Sequence, residues 1–433
     1  MTATHEQDAV LAGLSRAEAL ELTQRGGTVR CIGVPPGVEF GIDLRVYAVG
    51  PLFGGVKMVP TTPVHLVTWG TELSCCGVFV SVRPSEVCVM RWDAQAEALE
   101  FERDEAEAQR QTKQVEQMEH DASLAPYPLA TQEQWAGLSG YISERVLRRA
   151  AIPLGTVTAP AGIDQAELDM EIERMRRRIA TASSEPEPVP VASEAVAASS
   201  LEPKPVLASV DPETQSSTEP EPLAAVFVSL EPRTSGGGRS GSDLSSFHLD
   251  RSHWLDQLLT TEYATPSGQA DQPTNLGGAP AASAVPASLE EARLEAAELA
   301  FLGELQLSFV LFLRLSSLRA LEQWKAMLHL LSHCDTALSQ RPRLYSRVVA
   351  VLRAQLSTAS ADFFETGDGE EHFVRASLAR LAENASGASL AAPVAEELRL
   401  LWEMLESSFG LTPDGLVADA FDEDDEPVVV AES

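Results

Sequence analysis

Short apolar runs alternate with turn residues through positions 25–92. The runs TVRCIGV, VYAVGP, HLVTW and GVFVSV are rich in Val, Ile and Phe, and Gly and Pro separate them. Such residues favour strands, whereas Gly and Pro mark the ends of strands. The pattern predicts a compact sheet or sandwich, with turns at Pro35-Pro36-Gly37 and Gly54-Gly55.

Helical patterns follow this β region. Residues 94–121 contain no Gly or Pro and few apolar positions, which predicts a charged, mostly exposed helix. A second helix is predicted for Thr131–Arg149, with Thr131 as its N-cap. Residues 164–179 are also predicted to be helical. The apolar stripe of the second helix consists of Trp135, Leu138, Ile142 and Val146.

The composition changes near Thr181, where Pro and Glu recur without a large apolar stripe. Such a segment cannot bury enough surface to offset the entropy of ordering it. We therefore predict an N-terminal β-rich domain with appended helices (1–180), a disordered acidic and Pro-rich linker (181–242), a docked helical segment (243–264), a flexible linker (265–287), a C-terminal all-α domain (288–412) and an acidic tail with a short β-prone end (413–433).

The C-terminal domain has apolar residues at helical spacing almost throughout. Ser288 and Glu291 have the spacing of a capping box, and Gly410 is placed to end the last helix. Helices are predicted at 289–315, 317–338, 343–357, 370–383 and 391–408. The fold class is therefore α+β multidomain, with a sandwich-like β-rich domain followed by an all-α domain.

Charge and cysteine content narrow the classes of function. Asp and Glu number 64 against 32 Lys and Arg, for a net charge of −32. Such a surface repels a phosphate backbone, so we expect no direct nucleic-acid binding and a protein partner instead. Five cysteines in no redox or zinc spacing favour a reducing compartment. Without a signal-peptide pattern or a long uncharged apolar run, we expect a soluble intracellular protein that binds no membrane.

The search for catalytic chemistry yields little. His329 and His333 lie four residues apart on a predicted helix, a spacing compatible with zinc, but the glutamate of a metalloprotease helix is missing. The acidic run 422–426 lacks the glycine of a calcium loop, and the arginines at 174–178 fit a solvated helix end or a weak nuclear signal. We therefore predict no enzyme, no metal and no cofactor.

Several motifs resemble those of one family. The segments PPGVEFGID at 35–43, VGPLFGGVKMVP at 49–60, PYPLATQEQWAGLSGYIS at 126–143 and FLGELQLSFVLFLRLSSLRALEQWKAMLHLLSHC at 301–334 resemble the A1-cistron splicing factor (AAR-two) family, in the family's order. The resemblance covers roughly 25–150 and 243–409, whereas the Pro-rich segments near 181–235 and 265–287 do not match.

The resemblance implies both a fold and a role. It implies a VHS-like C-terminal domain and an assembly chaperone of the U5 small nuclear ribonucleoprotein, located in cytoplasm and nucleus and monomeric when alone. The implied partner is the scaffold protein of that particle, pre-mRNA-processing factor eight, bound through its RNase H-like and Jab/MPN domains before the RNA helicase joins. The alternative is a generic acidic adaptor with a VHS-like module.

Six residues are candidates for contact with the partner. Glu39, Asp43 and Lys57 belong to the family signature, although a folding role suits such motifs better than a contact role does. The segment Val428, Val429 and Val430 is β-prone and could add a strand to a sheet edge of the partner. Serines of the linker beside the 247–259 helix are candidate phosphorylation sites.

Overall fold

A computed structural model describes residues 15–62, 64–71, 74–152, 225–230, 250–264, 289–359 and 372–424. The N-terminal part contains mainly strands, and Gly, Pro or Asp residues occur in several of the turns between them. In chain order its elements are α1 (Arg16–Arg25), β1 (Gly27–Ile32), β2 (Glu39–Ile42), β3 (Arg45–Ala48), β4 (Gly55–Val59), β5 (His65–Thr71), β6 (Ser74–Val80), β7 (Val87–Asp93), β8 (Ala98–Phe101), α2 (Glu105–Glu116), β9 (Leu124–Pro126), α3 (Gln132–Ser139) and α4 (Glu144–Arg149).

These strands form two sheets. The first has the order β8-β7-β1-β4-β9, in which β1 pairs parallel with β7 and antiparallel with β4. The second has the order β3-β2-β5-β6 and is antiparallel throughout. Because successive side chains of a strand point to opposite faces, the second sheet has two distinct faces. One face shares a buried core with the first sheet, which confirms the predicted sandwich; the four-stranded sheet supplies Phe40, Ile42, Val67, Trp69, Val78 and Val80 to this core.

The other face of the four-stranded sheet packs on helices. Leu66 and Phe79 belong to the core that includes the C-terminal helices. Gly41 lies on this face, where a Cβ atom would lie 2.1 Å from Thr68 Oγ1. Gly41 is therefore needed for close packing within the sheet rather than for a turn.

Two helix predictions for the N-terminal part are wrong. Residues 94–121 do not form one helix, since β8 pairs with β7 and only Glu105–Glu116 is helical. Pairing that buries Leu99 in the sandwich core outweighs the local helix propensity. The helix predicted for Thr131–Arg149 breaks at Gly140, and Ser143 caps the second half. Thr131 provides no side-chain cap, because its hydroxyl donates to Pro128 O.

The remaining described elements are helical, as predicted for the C-terminal domain. Gly410 has φ 68° and ends the helix Ala392–Phe409 as predicted. The helix predicted at 317–338 is split into two, and residues 413–424 of the predicted tail are helical with Leu416 buried. The helices are α5 (Ser252–Thr261), α6 (Leu289–Leu315), α7 (Leu318–Ser332), α8 (Asp335–Gln340), α9 (Pro342–Leu356), α10 (His372–Gly387), α11 (Ala392–Phe409) and α12 (Pro413–Asp424).

Helix α6 lies at the centre of the larger core. The helix is long enough to cross a membrane, and an 18-residue stretch of it has a mean hydropathy of 1.6. However, 78% of this stretch is buried inside the protein. Burial of this kind is expected of the core helix of a globular domain. The surrounding core extends from Val64, just before β5, to Leu416 in α12, and Leu66 and Phe79 of the four-stranded sheet belong to it, whereas the interior of the sandwich is a separate cluster.

The short segment 225–230 also joins this core, although it is predicted to belong to the disordered linker 181–242. Ala225 is buried and Phe227, Val228 and Leu230 pack against the cluster. For these six residues the prediction of disorder is wrong, because the apolar run AVFVSL finds a surface to pack on. The predicted helix at 164–179, the capping residue Ser288 and the rest of both linkers lie outside the described residues, and the domain boundaries stay predictions.

Candidate functional site

The family-signature residue Asp43 lies at the end of β2 and is fully buried. Its backbone has φ 53°, a left-handed conformation that Asp tolerates better than most residues. Oδ1 accepts a hydrogen bond from Leu66 N at 2.9 Å, and Oδ2 accepts one from Tyr127 OH at 2.6 Å. Oδ2 also lies 2.7 Å from His65 Nδ1. A side chain without exposed surface cannot contact a partner, so the structure gives Asp43 a folding role.

The charge of Asp43 controls the titration of its two neighbours. Burial acts to lower the pKa of His65, but the Asp43 carboxylate and the hydrogen bonds to Asp43 and Pro60 O outweigh it and raise the pKa. Burial, and then the Asp43 charge, raise the pKa of Tyr127 far above its usual range. The result is a buried ion pair that connects β2, β5 and the segment before α3.

Lys57 connects two other parts of the same domain. It lies on β4, and its ammonium group donates to the carboxylate and to the carbonyl oxygen of Asp121. Its side chain is 18% exposed. Lys57 therefore holds the turn before β9 to the sheet, and only a small part of its side chain is accessible to a partner.

Glu39 is the accessible member of the three signature candidates. It is exposed at the start of β2, where it pairs with Ala48 of β3. β3 is the outermost strand on that side of the four-stranded sheet. Val428, Val429 and Val430 lie outside the described residues, so their predicted role stays a prediction.

Helix α6 forms buried hydrogen bonds to the region of α3 and α4, and the sequence did not predict them. Gln306 Oε1 accepts a hydrogen bond from Tyr141 N at 2.6 Å, and its Nε2 donates to Gly137 O at 2.7 Å. One buried amide thus bonds both the last turn of α3 and the loop that follows it. Next to it, Gly303 lies so close to this turn that a Cβ atom would lie 2.4 Å from Tyr141 O.

The neighbouring Glu304 connects α6 to the segment 225–230. Its Oε1 accepts hydrogen bonds from Val228 N and from Gln323 Nε2, each at 2.9 Å. Burial raises the pKa of Glu304, although these hydrogen bonds act in the opposite direction. Polar residues within an otherwise apolar helix were the available sequence signal for these contacts, since such residues are buried only with partners.

The His329 and His333 pair has no described third ligand. Their rings lie with centroids 4.1 Å apart and are tilted by 56° to each other. Burial, followed by the charges of His333 and Arg251, lowers the pKa of His329 to about 4. Within the ranges the structure describes, no group of three or more His, Cys, Asp or Glu side chains is placed to hold a metal ion.

The five cysteines are free thiols. Cys75 and Cys76 lie on β6 and are half-buried, whereas Cys31 and Cys334 are buried. Burial raises the pKa of Cys76 to about 11 and that of Cys334 to about 12. These thiols are therefore neutral near pH 7, which suits packing rather than nucleophilic chemistry.

The fold and these contacts define an α+β protein in which a β-sandwich packs against a helical domain and buried hydrogen bonds connect the described segments. Sequence comparison agrees with this division. The profile of the AAR2 N-terminal domain matches residues 25–152, and that of the AAR2 C-terminal repeat region matches residues 227–414. The chain belongs to the AAR2 family.

Curated relatives cover most of the chain. The human Protein AAR2 homolog is 24% identical over 371 residues, which are 83% of this chain and 83% of the relative. The Protein AAR2 homolog of Caenorhabditis elegans is 24% identical over 378 residues, 86% of this chain and 91% of the relative. The homolog of Macaca fascicularis is 25% identical over 371 residues. The matched length includes both the sandwich and the helical domain.

Proposed function

We propose that this chain is a non-enzymatic assembly factor in pre-mRNA splicing. In this proposal it binds the scaffold protein of the U5 small nuclear ribonucleoprotein through the scaffold's RNase H-like and Jab/MPN domains, and holds it in a precursor state until the helicase joins. The observation that carries the proposal is the match to both AAR2 domains, in order, along one chain. Membership of this family supports a splicing-related role.

The charge of the chain supports a protein partner with a basic surface. The net charge is −32, and several arginines are already bound to carboxylates of the same helix. Arg399 pairs with both Glu396 and Glu403, and Arg148 pairs with Glu144. In this proposal, the excess negative charge faces a surface of the scaffold that later binds RNA, where complementary charge speeds encounter and excludes nucleic acid.

Two parts of the chain are proposed to contact the scaffold. Glu39 is the exposed candidate of the signature, beside the outer strand β3. Val428–Val430 would add a strand to a sheet edge of the scaffold, where backbone hydrogen bonds supply affinity. Lys57 would contact the scaffold only through the small exposed part of its side chain, because its ammonium group is paired with Asp121.

Calorimetric titration of the full chain with the RNase H-like domain, at low and high salt, tests the proposal. We expect saturable binding that weakens as salt rises, because exposed charges are screened. Binding insensitive to salt would keep the function and refute the electrostatic account. If neither the RNase H-like nor the Jab/MPN domain binds, this chain does not have the proposed assembly role. The generic acidic adaptor then becomes the better hypothesis.

Variants separate the proposed contacts. Glu39→Gln should weaken binding, whereas Glu116→Gln at the exposed end of α2 serves as the charge-matched control. Deletion of 427–433 should weaken binding through lost backbone hydrogen bonds. An affinity that neither change alters would remove Glu39 and the C-terminal segment from the mechanism. Fractionation of cells expressing the chain tests its proposed presence in cytoplasm and nucleus.

A further inference from the structure

A polar pocket of about 290 Å³ lies where the four-stranded sheet meets the helices. Arg45, at the start of β3, and Arg314, near the end of α6, both line it. Thr131, Gln134 and Thr358 complete its polar wall. Two arginines at one pocket are notable in a chain that carries twice as many acidic as basic residues.

Arg45 and Arg314 are both half-buried, and the buried Nε of Arg314 has no hydrogen-bond partner. Its Nη2 lies over β2, 3.3 Å from the position that a Cβ atom of Gly41 would take. The nearby Asp43 carboxylate is already bound by Leu66 N, Tyr127 OH and His65. Among the described residues, no carboxylate forms an ion pair with Arg314.

Two other half-buried arginines of the helical domain, Arg341 and Arg353, are paired with carboxylates. Arg341 contacts Asp256 at 2.7 Å and Glu298 at 3.0 Å. Arg353 contacts Glu397 at 3.1 Å. The same fold thus supplies carboxylates to these two half-buried arginines, and the pocket differs from their sites in its unpaired positive charge.

An unpaired, half-buried guanidinium is costly because it has lost part of its hydration. This loss lowers the pKa of Arg314, although Cys75 and Asp43 act in the opposite direction. The Cys75 thiol provides no compensation at neutral pH, because burial raises its pKa. A second cation at the same pocket adds to the local positive potential and favours an incoming anion.

The hydroxyl groups of the pocket are already used as donors. Thr131 Oγ1 donates to Pro128 O at 3.0 Å, and Thr358 Oγ1 donates to Gln355 O at 2.6 Å. The donors left for a ligand are the two guanidinium groups and the exposed amide of Gln134. Planar donor forks of this kind match the geometry of carboxylate and phosphate oxygens.

We propose that this pocket binds an oxyanion, a carboxylate or a phosphate group, between Arg45 and Arg314. The volume admits a small anionic group or the end of one acidic side chain. The proposal does not depend on the splicing role, because it rests on the pocket and its charges alone.

Calorimetric titration of the full chain with phenyl phosphate and with benzoate, at constant ionic strength, tests the proposal. The two probes share an aromatic ring and differ in the anion, so their relative affinities distinguish phosphate from carboxylate. Benzamide is the neutral control. We expect saturable binding of at least one anion and none of benzamide. Equal binding of benzamide, or no saturable binding of either anion, would overturn the proposal.

Variants assign the binding to the pocket. Arg45→Gln and Arg314→Gln should each weaken anion binding about tenfold, as expected for the loss of a charge-assisted contact. Arg343→Gln, at a 66% exposed arginine on α9, is the matched control and should bind as the unchanged chain does. Unchanged affinity in both pocket variants would place the anion elsewhere and refute the assignment.

A purely structural role for Arg314 makes a different prediction. If Arg314 only packs over Gly41 through its aliphatic stem, Arg314→Met should retain anion binding. If the pocket holds an anion, Arg314→Met should lose binding while the free chain stays at least as stable, since an uncompensated buried charge has been removed. Should Arg314→Met fail to fold, Arg45→Gln at the half-exposed arginine gives the same readout.

Discussion

Replacing Gly303 by alanine tests the close packing between α6 and the turn that links α3 to α4. The added Cβ atom would lie 2.4 Å from Tyr141 O and 2.6 Å from Val146 Cγ2. Favourable separations between such atoms are about 3.5–4 Å. Either α6 or the turn must therefore move by about 1 Å, and the oxygen belongs to the backbone, which cannot rotate away as a side chain can.

The expected cost combines three effects. Overpacking a core site costs about 1–3 kcal/mol. The same shift strains the hydrogen bonds of Gln306 to Tyr141 N and Gly137 O, and losing one net hydrogen bond costs about 1 kcal/mol. Alanine recovers about 1 kcal/mol through its higher helix propensity. The free energy of unfolding should fall by about 1–3 kcal/mol.

Equilibrium urea unfolding, followed by tryptophan fluorescence and circular dichroism, measures this change. Gly387→Ala is the matched control, because Gly387 ends α10 and has no atom within 4 Å of the position of an added Cβ. That control should be neutral or more stable by up to about 1 kcal/mol. If Gly303→Ala unfolds at the same urea concentration as Gly387→Ala, the close approach described for α6 is refuted.

Three further predictions concern buried charge. Asp43→Asn keeps a residue that tolerates φ 53° but leaves His65 without its anion, and should lower the free energy of unfolding by about 3–5 kcal/mol in urea titrations. The pKa of His65 is raised in the folded chain. The stabilisation that protonated His65 gives the folded chain is therefore complete below the ordinary pKa of about 6.5, and it is lost as pH rises through the raised pKa. The stability difference between the unchanged chain and Asp43→Asn should therefore shrink from pH 6 to pH 9, and parallel curves would contradict the pairing. The pKa of His329 is lowered to about 4, so stability should fall with acidification from about 6.5 towards 4, and His329→Gln should make this fall shallower in thermal unfolding. An unchanged slope would show that His329 is not protected from protons in the folded chain.

Local patterns predicted much of the architecture. The β-rich part preceded the helical part as expected, the stripe residues Trp135 and Leu138 are buried, and Gly410 ends its helix. These features depend on periodicity and backbone preference within a few residues, which a sequence displays directly. The same rules erred at Ala98–Phe101, where good helix formers became strand β8 because β7 offered a pairing edge.

The candidate site was predicted less completely. Signature residues such as Asp43 and Lys57 were identified, but the sequence did not distinguish a buried ion pair from a contact surface. Asp43 meets Tyr127 across 84 positions of the chain, and that partner decides its role. Only Glu39, exposed at the start of β2, keeps the accessibility that a contact needs.

By itself, the sequence determined the acidic charge, the order of β-rich and helical parts and most helix positions, because composition and short-range periodicity carry that information. Only the tertiary structure decided which polar residues are buried and connect distant segments of the chain. Gln306 reaches Tyr141 N across 165 positions, Glu304 holds the segment 225–230, and Arg314 lacks a carboxylate in the described fold. The physical reason is that the energy of a buried polar group depends on partners brought together only when distant segments pack.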